Sequence, residues 1–105
     1  MVKKGLKNKI KKYAVLLEKS GIPVEEIILF GSHTSGEADS DSDIDLCVVS
    51  KKFGVNRLDE IGTLLKLAKE IDTRIEAIPV SYKMWLTDNI SPILHEVRSK
   101  GIKII

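Results

Sequence analysis

A chain of 105 residues, 43% hydrophobic and 30% charged, has material for one domain with a modest core, and residues 1–105 read as that single domain. No apolar run approaches the ~20 residues that span a bilayer, and no apolar segment with a cleavage site follows the lysine-rich start; a membrane role is excluded and a cytoplasmic setting expected. The net charge of +2 hides an asymmetry: Lys3, Lys4, Lys7, Lys9, Lys11 and Lys12 crowd the beginning, whereas Glu37, Asp39, Asp41, Asp43 and Asp45 crowd the middle.

Residues 3–20 read as an amphipathic helix, because Leu6, Ile10, Ala14 and Leu17 recur at helical spacing. Gly21 stands where a helix-ending glycine belongs, and Pro23 follows. The lysines read as a solvated face; the sharper alternative, a nucleic-acid patch, lacks interleaved aromatic residues to stack on bases. Val24 to Phe30 is rich in β-forming residues and reads as the first strand, ended by Gly31-Ser32. Gly31 lets the backbone approach a ligand closely, and the Ser32 hydroxyl either caps the turn or reaches a phosphate oxygen. Alone, this is an ordinary turn with a serine cap; the acids downstream change its meaning. Gly36 reads as a backbone turn that a side chain would hinder.

Ile44 to Ser50 is the second strand. Side chains alternate faces along a strand, so Asp43 and Asp45 point one way, about 6.5–7 Å apart at their Cα atoms, while Ile44 and Leu46 point the other. Aspartate is a poor strand former, and five acids without an interleaved base destabilise a fold unless a cation compensates. Oxygen donors in this arrangement suit one or two hard cations bound with a phosphate chain. Cys47, the single cysteine, has no internal partner and falls in an apolar run, so it reads as a buried small hydrophobe; nothing pairs His33 with His95 for zinc.

Lys51 to Gly54 forms a loop. Residues 56–71 read as a helix capped through Asn56 and Asp59, with Leu58, Ile61, Leu65 and Ala68 as its core stripe. Residues 74–80 read as a third strand with Arg74, Glu76 and Ile78 on one face, and Pro79 marks an edge strand or a strand end. Ser81 caps a short helix carrying Trp85. Ser91-Pro92, a cap and first-turn pair, opens a last helix running to Lys100, with Gly101 as its cap, and Ile102 to Ile105 adds a short final strand. This order predicts an α+β fold, an α/β sandwich with a mixed sheet of about three or four strands packed against helices.

Gly31-Ser32, ten intervening residues, and Asp43-Ile44-Asp45-Leu46 resemble the signature of the DNA polymerase β-like nucleotidyltransferase superfamily. The compact length resembles its minimal nucleotidyltransferases, the antitoxin-like MNT proteins, and the likeness runs from about Val24 to the C-terminus. It implies a nucleotidyltransferase-like sandwich with a short helical turn over His33–Gly36. It also implies a nucleoside triphosphate, ATP foremost, with its phosphates at Gly31, Ser32 and Gly36, and Mg²⁺ held by Asp43, Asp45 and a third carboxylate. Glu76, mid-strand between Ile75 and Ala77, is the candidate for that third acid, as metal ligand or base for the acceptor hydroxyl. The plain alternative is an exposed strand acid paired with Arg74 or a lysine. His33, Thr34 and Ser35 stand where many family members carry arginines, and Glu76 where aspartate is commoner.

The reaction so implied is attack of an acceptor hydroxyl on the α-phosphorus with loss of pyrophosphate. The site takes nearly the whole domain, so the acceptor is presented by another molecule. The MNT likeness implies a HEPN-type partner, a helical ribonuclease toxin that receives AMP on a tyrosine, with this chain as the antitoxin of the pair. The alternatives are a binding antitoxin or accessory subunit with a vestigial site, and a nucleic-acid end-modifying transferase. Apolar faces left over by one small core would serve a homodimer or a hetero-oligomer.

Overall fold

The structure, a computed structural model, describes residues 2–39 and 41–105; Ser40 of the polar loop and Met1 lie outside the described residues. In chain order the elements are α1 (Lys4–Lys19), β1 (Glu26–Phe30), α2 (Ser32–Ser35), β2 (Ile44–Ser50), α3 (Arg57–Ala68), β3 (Ile75–Ser81), α4 (Tyr82–Thr87), α5 (Pro92–Lys100) and β4 (Ile102–Lys103). The strands form one mixed sheet in the order β3-β2-β1-β4. β1 runs antiparallel to both β2 and β4, and β2 runs parallel to β3.

Alternation along the strands divides the core in two. Ile27, Leu29, Ile44, Leu46, Val48, Ile75 and Ala77 pack with Ile10, Tyr13 and Leu17 of α1 and Leu64 and Ala68 of α3. On the opposite face, Ile28, Phe30, Cys47, Val49 and Val80 pack with Leu94 and Val97 of α5 and with Tyr82 and Trp85 of α4. The order of elements predicts a mixed sheet packed against helices, and the structure sets the helices on both its faces, in three layers. No helix among the described residues is long and apolar enough to cross a membrane.

Polar contacts fix α1 across α3. The buried Tyr13 hydroxyl donates to the Leu64 carbonyl at 2.8 Å. Lys9 and Arg74 both reach Asp72, at 2.6 and 2.8 Å, where the chain turns from α3 into β3. Those two donors, Arg74 foremost, hold the Asp72 carboxyl well below the usual carboxylate range.

Three local expectations are corrected. The buried stripe of α3 is Leu64 and Ala68 with Leu67 and Ile71 beside them, whereas Leu58 is 83% and Leu65 40% exposed. Leucines at 58, 64, 65 and 67 fit helical spacing on two faces, and only the position of α1 selects one. Arg74 lies outside β3 and turns to Asp72 rather than sharing a strand face with Glu76. The Ser91 side chain does not cap α5; Asp88 accepts from the Ile90 and Ser91 N–H groups at 2.8 and 2.9 Å instead. Gly101, by contrast, is the C-cap of α5 as read, its N–H donating to the Val97 carbonyl at 2.9 Å, and a β-carbon there would collide with that carbonyl and with Ile28.

Other readings stand. Asn56 accepts from the Asp59 N–H at 3.2 Å and Ser81 from the Met84 N–H at 3.1 Å. Pro79 lies on β3, an edge strand, where the Arg57 guanidinium donates to its carbonyl at 3.1 Å. Cys47 is buried, which pushes its thiol up to about 12.

Candidate active site

The end of β1 and the beginnings of β2 and β3 meet at one end of the sheet. Asp45 stands opposite Phe30 of β1 on one side and opposite Glu76 of β3 on the other. Neighbouring strands lie about 4.8 Å apart and opposed residues share a face, so Asp45 and Glu76 stand side by side. Their alternation with Cys47, Val49 and Val80 sets them on the α5 side of the sheet. Asp43 comes just before β2, two residues from Asp45.

These carboxylates are electrostatically crowded. The Glu76 carboxyl is raised above the usual range, first by the charge of Asp43, then by desolvation and by Asp45. The Asp45 carboxyl is raised first by burial, then by Asp43 and by Glu96 of α5, with His33 acting against them. An ion pair for Glu76, with Arg74 or a lysine, is not found among the described residues. The group is an open patch of hard oxygen donors: no three metal-binding side chains stand at metal-holding spacing among the described residues. Its donor chemistry and its mutual repulsion both fit a divalent cation, which would relieve the crowding.

Gly31 is built into this patch. Its backbone sits at φ 78°, ψ −147°, and a β-carbon would overlap the Asp45 carboxylate and lie 3.2 Å from its Cγ. Only glycine lets the turn after β1 close over Asp45. Gly31 then becomes the N-cap of α2, its carbonyl accepting from the Thr34 N–H at 3.0 Å and the Thr34 hydroxyl at 2.7 Å. Ser32 is thus the first helical residue and not the cap, and its hydroxyl has no partner among the described residues. Gly36, at φ 81°, ends α2 in the left-handed conformation.

The loop that follows arranges itself. Asp39 accepts from the Asp41 N–H at 2.8 Å and from the Ser42 hydroxyl, and Ser42 accepts from the Asp39 N–H at 2.9 Å. Glu37, Asp39 and Asp41 are exposed loop acids. Two residues that sequence reasoning did not assign join the site: His33, which acts on Asp45 from α2, and Glu96, which does so from α5. Their signal is tertiary; neither stands out by spacing.

The model of the family described as "Nucleotidyltransferase domain" matches residues 7–99. A curated Methanocaldococcus jannaschii protein, provisionally named a protein adenylyltransferase, is 35% identical over 88 residues, 84% of this chain and 52% of that protein. The chain therefore spans about half the length of that relative. A crystal structure of a toxin–antitoxin with AMP-PNP superposes with a TM-score of 0.60 at 28% identity, over 94% of this chain and 72% of that one. A structure from Sulfolobus solfataricus, provisionally named a nucleotidyltransferase, shares the fold with a TM-score of 0.59 at 22% identity, over 98% and 87% of the two chains.

Proposed function

The chain belongs to the nucleotidyltransferase domain family, and from that premise we propose that it is a Mg²⁺-dependent cytoplasmic enzyme moving AMP from ATP to a hydroxyl of a HEPN-type partner protein, so acting as an antitoxin. The observation that carries this reading is the register: Glu76 stands opposite Asp45, with Asp43 acting on both. The relative named for protein adenylylation and the toxin–antitoxin solved with AMP-PNP support ATP as donor and a protein as acceptor.

Asp43, Asp45 and Glu76 are the residues that would hold the divalent cation, which when bound offsets the charge of the phosphate chain and of the oxygens around the reacting phosphorus. The turn at Gly31 and the first N–H groups of α2, those of Ser32 and His33, receive phosphate oxygens, and Gly36 lets the chain leave α2 without a side chain in the way. The acceptor hydroxyl attacks the α-phosphorus. Its O–P bond forms as the bond to pyrophosphate breaks, and its proton passes to a Glu76 oxygen. The rest is positioning, the larger part of phosphoryl chemistry.

A second reading is contact neutralisation by a weak or vestigial site. The lack of a three-ligand cluster among the described residues and the run His33-Thr34-Ser35, which carries no arginine, favour it. One experiment separates the two: transfer from α-labelled ATP with Mg²⁺ in the presence of the partner, using the Asp43→Asn/Asp45→Asn variant as control. Label on the partner that the variant abolishes is the expected result. No label, with the partner still silenced by the variant, leaves a binding antitoxin; label on RNA makes the acceptor a nucleic acid.

A further inference from the structure

The first helix carries a charge that the fold does not use. The exposed side of α1 holds Lys4, Lys7, Lys11, Lys12 and Lys19 against a single acid, Glu18. At about 3.6 residues per turn, the line through Asn8 and Val15 runs down the middle of that side. Lys7 and Lys11 fall to one side of the line, Lys12 and Lys19 to the other. From Lys4 to Lys19 the row is about 22 Å long. None of the five makes an ion pair among the described residues; Lys9, on the flank toward α3, does so with Asp72. None of them lines the cavity in which Asp39 approaches the first turns of α1.

Helix stability does not account for these lysines. Anions favour the start of a helix and cations its end, yet the first turn of α1 has no acid and its N-cap, Lys3, makes no side-chain bond. Lys3, Lys7 and Lys11 also follow one another at four-residue steps, where like charges repel. The other helix on this face of the sheet does the opposite. Asn56 caps α3, and Asp59 and Glu60 stand in its first turn. Through the turn that follows it, Arg57, Lys66 and Lys69 are matched by Asp59, Glu60 and Glu70. An ordinary solvated side has the balance of α3. Nor do nearby acids cancel the row: Asp72 is taken by Lys9 and Arg74, and Glu60 by the N–H groups of Gly54, Val55 and Asn56.

We propose that the exposed side of α1 binds the phosphate backbone of double-stranded DNA. Its composition selects that partner. Lysine is a compact, hydrated point charge that suits phosphate, and it is depleted from protein interfaces, where arginine and aromatic residues prevail; this side has neither. Val15 is the one exposed large apolar side chain of α1, too little to enter a lipid surface. A duplex keeps its bases stacked, so the aromatic platforms that single strands require are not needed. The major groove of B-form DNA admits a helix, with Lys7 and Lys11 toward one phosphate strand and Lys12 and Lys19 toward the other, whereas that of A-form RNA is too narrow. α1 covers the sheet face opposite Asp45 and Glu76, so DNA held there leaves the acids accessible. The surface stands whether or not the acid patch transfers AMP.

The test is fluorescence anisotropy of a short labelled DNA duplex of mixed sequence, titrated with the full chain between about 50 and 200 mM salt, with EDTA present. The expected result is an association constant that falls with salt at a log–log slope of about −4, and that survives in the Asp43→Asn/Asp45→Asn/Glu76→Gln variant. Lys11→Glu/Lys12→Glu weakens binding about tenfold or more and flattens the slope by about two. Lys11→Ala/Lys12→Ala, which favours the helix, gives a smaller loss in the same direction. Lys83→Glu/Lys100→Glu, with the same change of net charge on the other side of the sheet, binds as the wild type does. Circular dichroism checks that each variant is folded. No binding by the wild type at low salt, undiminished binding by the folded α1 variants, an equal loss in Lys83→Glu/Lys100→Glu, or loss in the acid variant overturns the proposal. Single-stranded DNA or duplex RNA of the same length binding as tightly overturns the fit to the B-form groove. Tighter binding of polyglutamate or of anionic vesicles makes the partner an acidic protein or a membrane and overturns DNA.

Discussion

A β-carbon at position 31 would fall on the Asp45 carboxylate, and the backbone there occupies a region that side chains scarcely tolerate. Gly31→Ala therefore costs about 1–3 kcal/mol of stability, read as a lower melting temperature. It also displaces Asp45, and the proposed AMP transfer should fall about 100-fold, because a shift of about 1 Å in a reacting site has that effect. Asp43 and Asp45 are legible in the sequence, since acids at alternate positions of an apolar run break the strand's own preferences, while the link of Gly31 to them is what the family resemblance implies. Glu76 is legible as an acid out of place, but not as the neighbour of Asp45; that depends on β2 and β3 pairing in parallel at one register. His33 and Glu96 are not legible at all, because α2 and α5 reach Asp45 through the fold and not through spacing.

At the scale of elements, the sheet and helices are readable from periodicity and turn residues, while the orientation of α3 is not. Leu58 and Leu65 fit a helical stripe as well as Leu64 and Leu67 do. The choice is made by α1, whose Tyr13 hydroxyl bonds the Leu64 carbonyl in the core. Burial without a charged partner also raises that phenol far above its ordinary value, so it stays a neutral donor. Tyr13→Phe removes the donor while keeping the ring, and should lower stability by about 1 kcal/mol in urea titration, with an unchanged slope. The cap misread at Ser91 has the same origin: serine suits a helix start, but Asp88 takes the Ile90 and Ser91 N–H groups there.

For the whole molecule, two opposing sets of carboxyls shape the dependence of stability on pH. Asp45 and Glu76 titrate above their unfolded values, so their contribution is full below those values and lost as pH rises through the folded ones. Asp72 is depressed, so its contribution is present above its unfolded value, near pH 4, and lost as pH falls; Glu60 and Asp88 act in the same direction. Thermal melts between about pH 3 and 7 should therefore show Asp43→Asn/Asp45→Asn/Glu76→Gln gaining stability relative to wild type as pH rises, and Asp72→Asn losing it. At neutral pH, Mg²⁺ should raise the melting temperature of the wild type and not that of the triple variant. A triple variant no more stable than wild type at pH 7 without metal would remove the case for a crowded acid patch.

The outer margin of β3 bears on assembly. A residue's N–H and C=O point to the same side of a strand, so the carbonyl of Pro79 that Arg57 occupies lies on the margin where proline has no N–H to offer. A strand arriving from another molecule would find, in the middle of this border, neither a donor nor a vacant acceptor. Templated growth by strand addition, the common route from an open sheet to fibrils, is interrupted at that point. A companion that docks on this protein is thus steered away from backbone pairing at this border of the sheet.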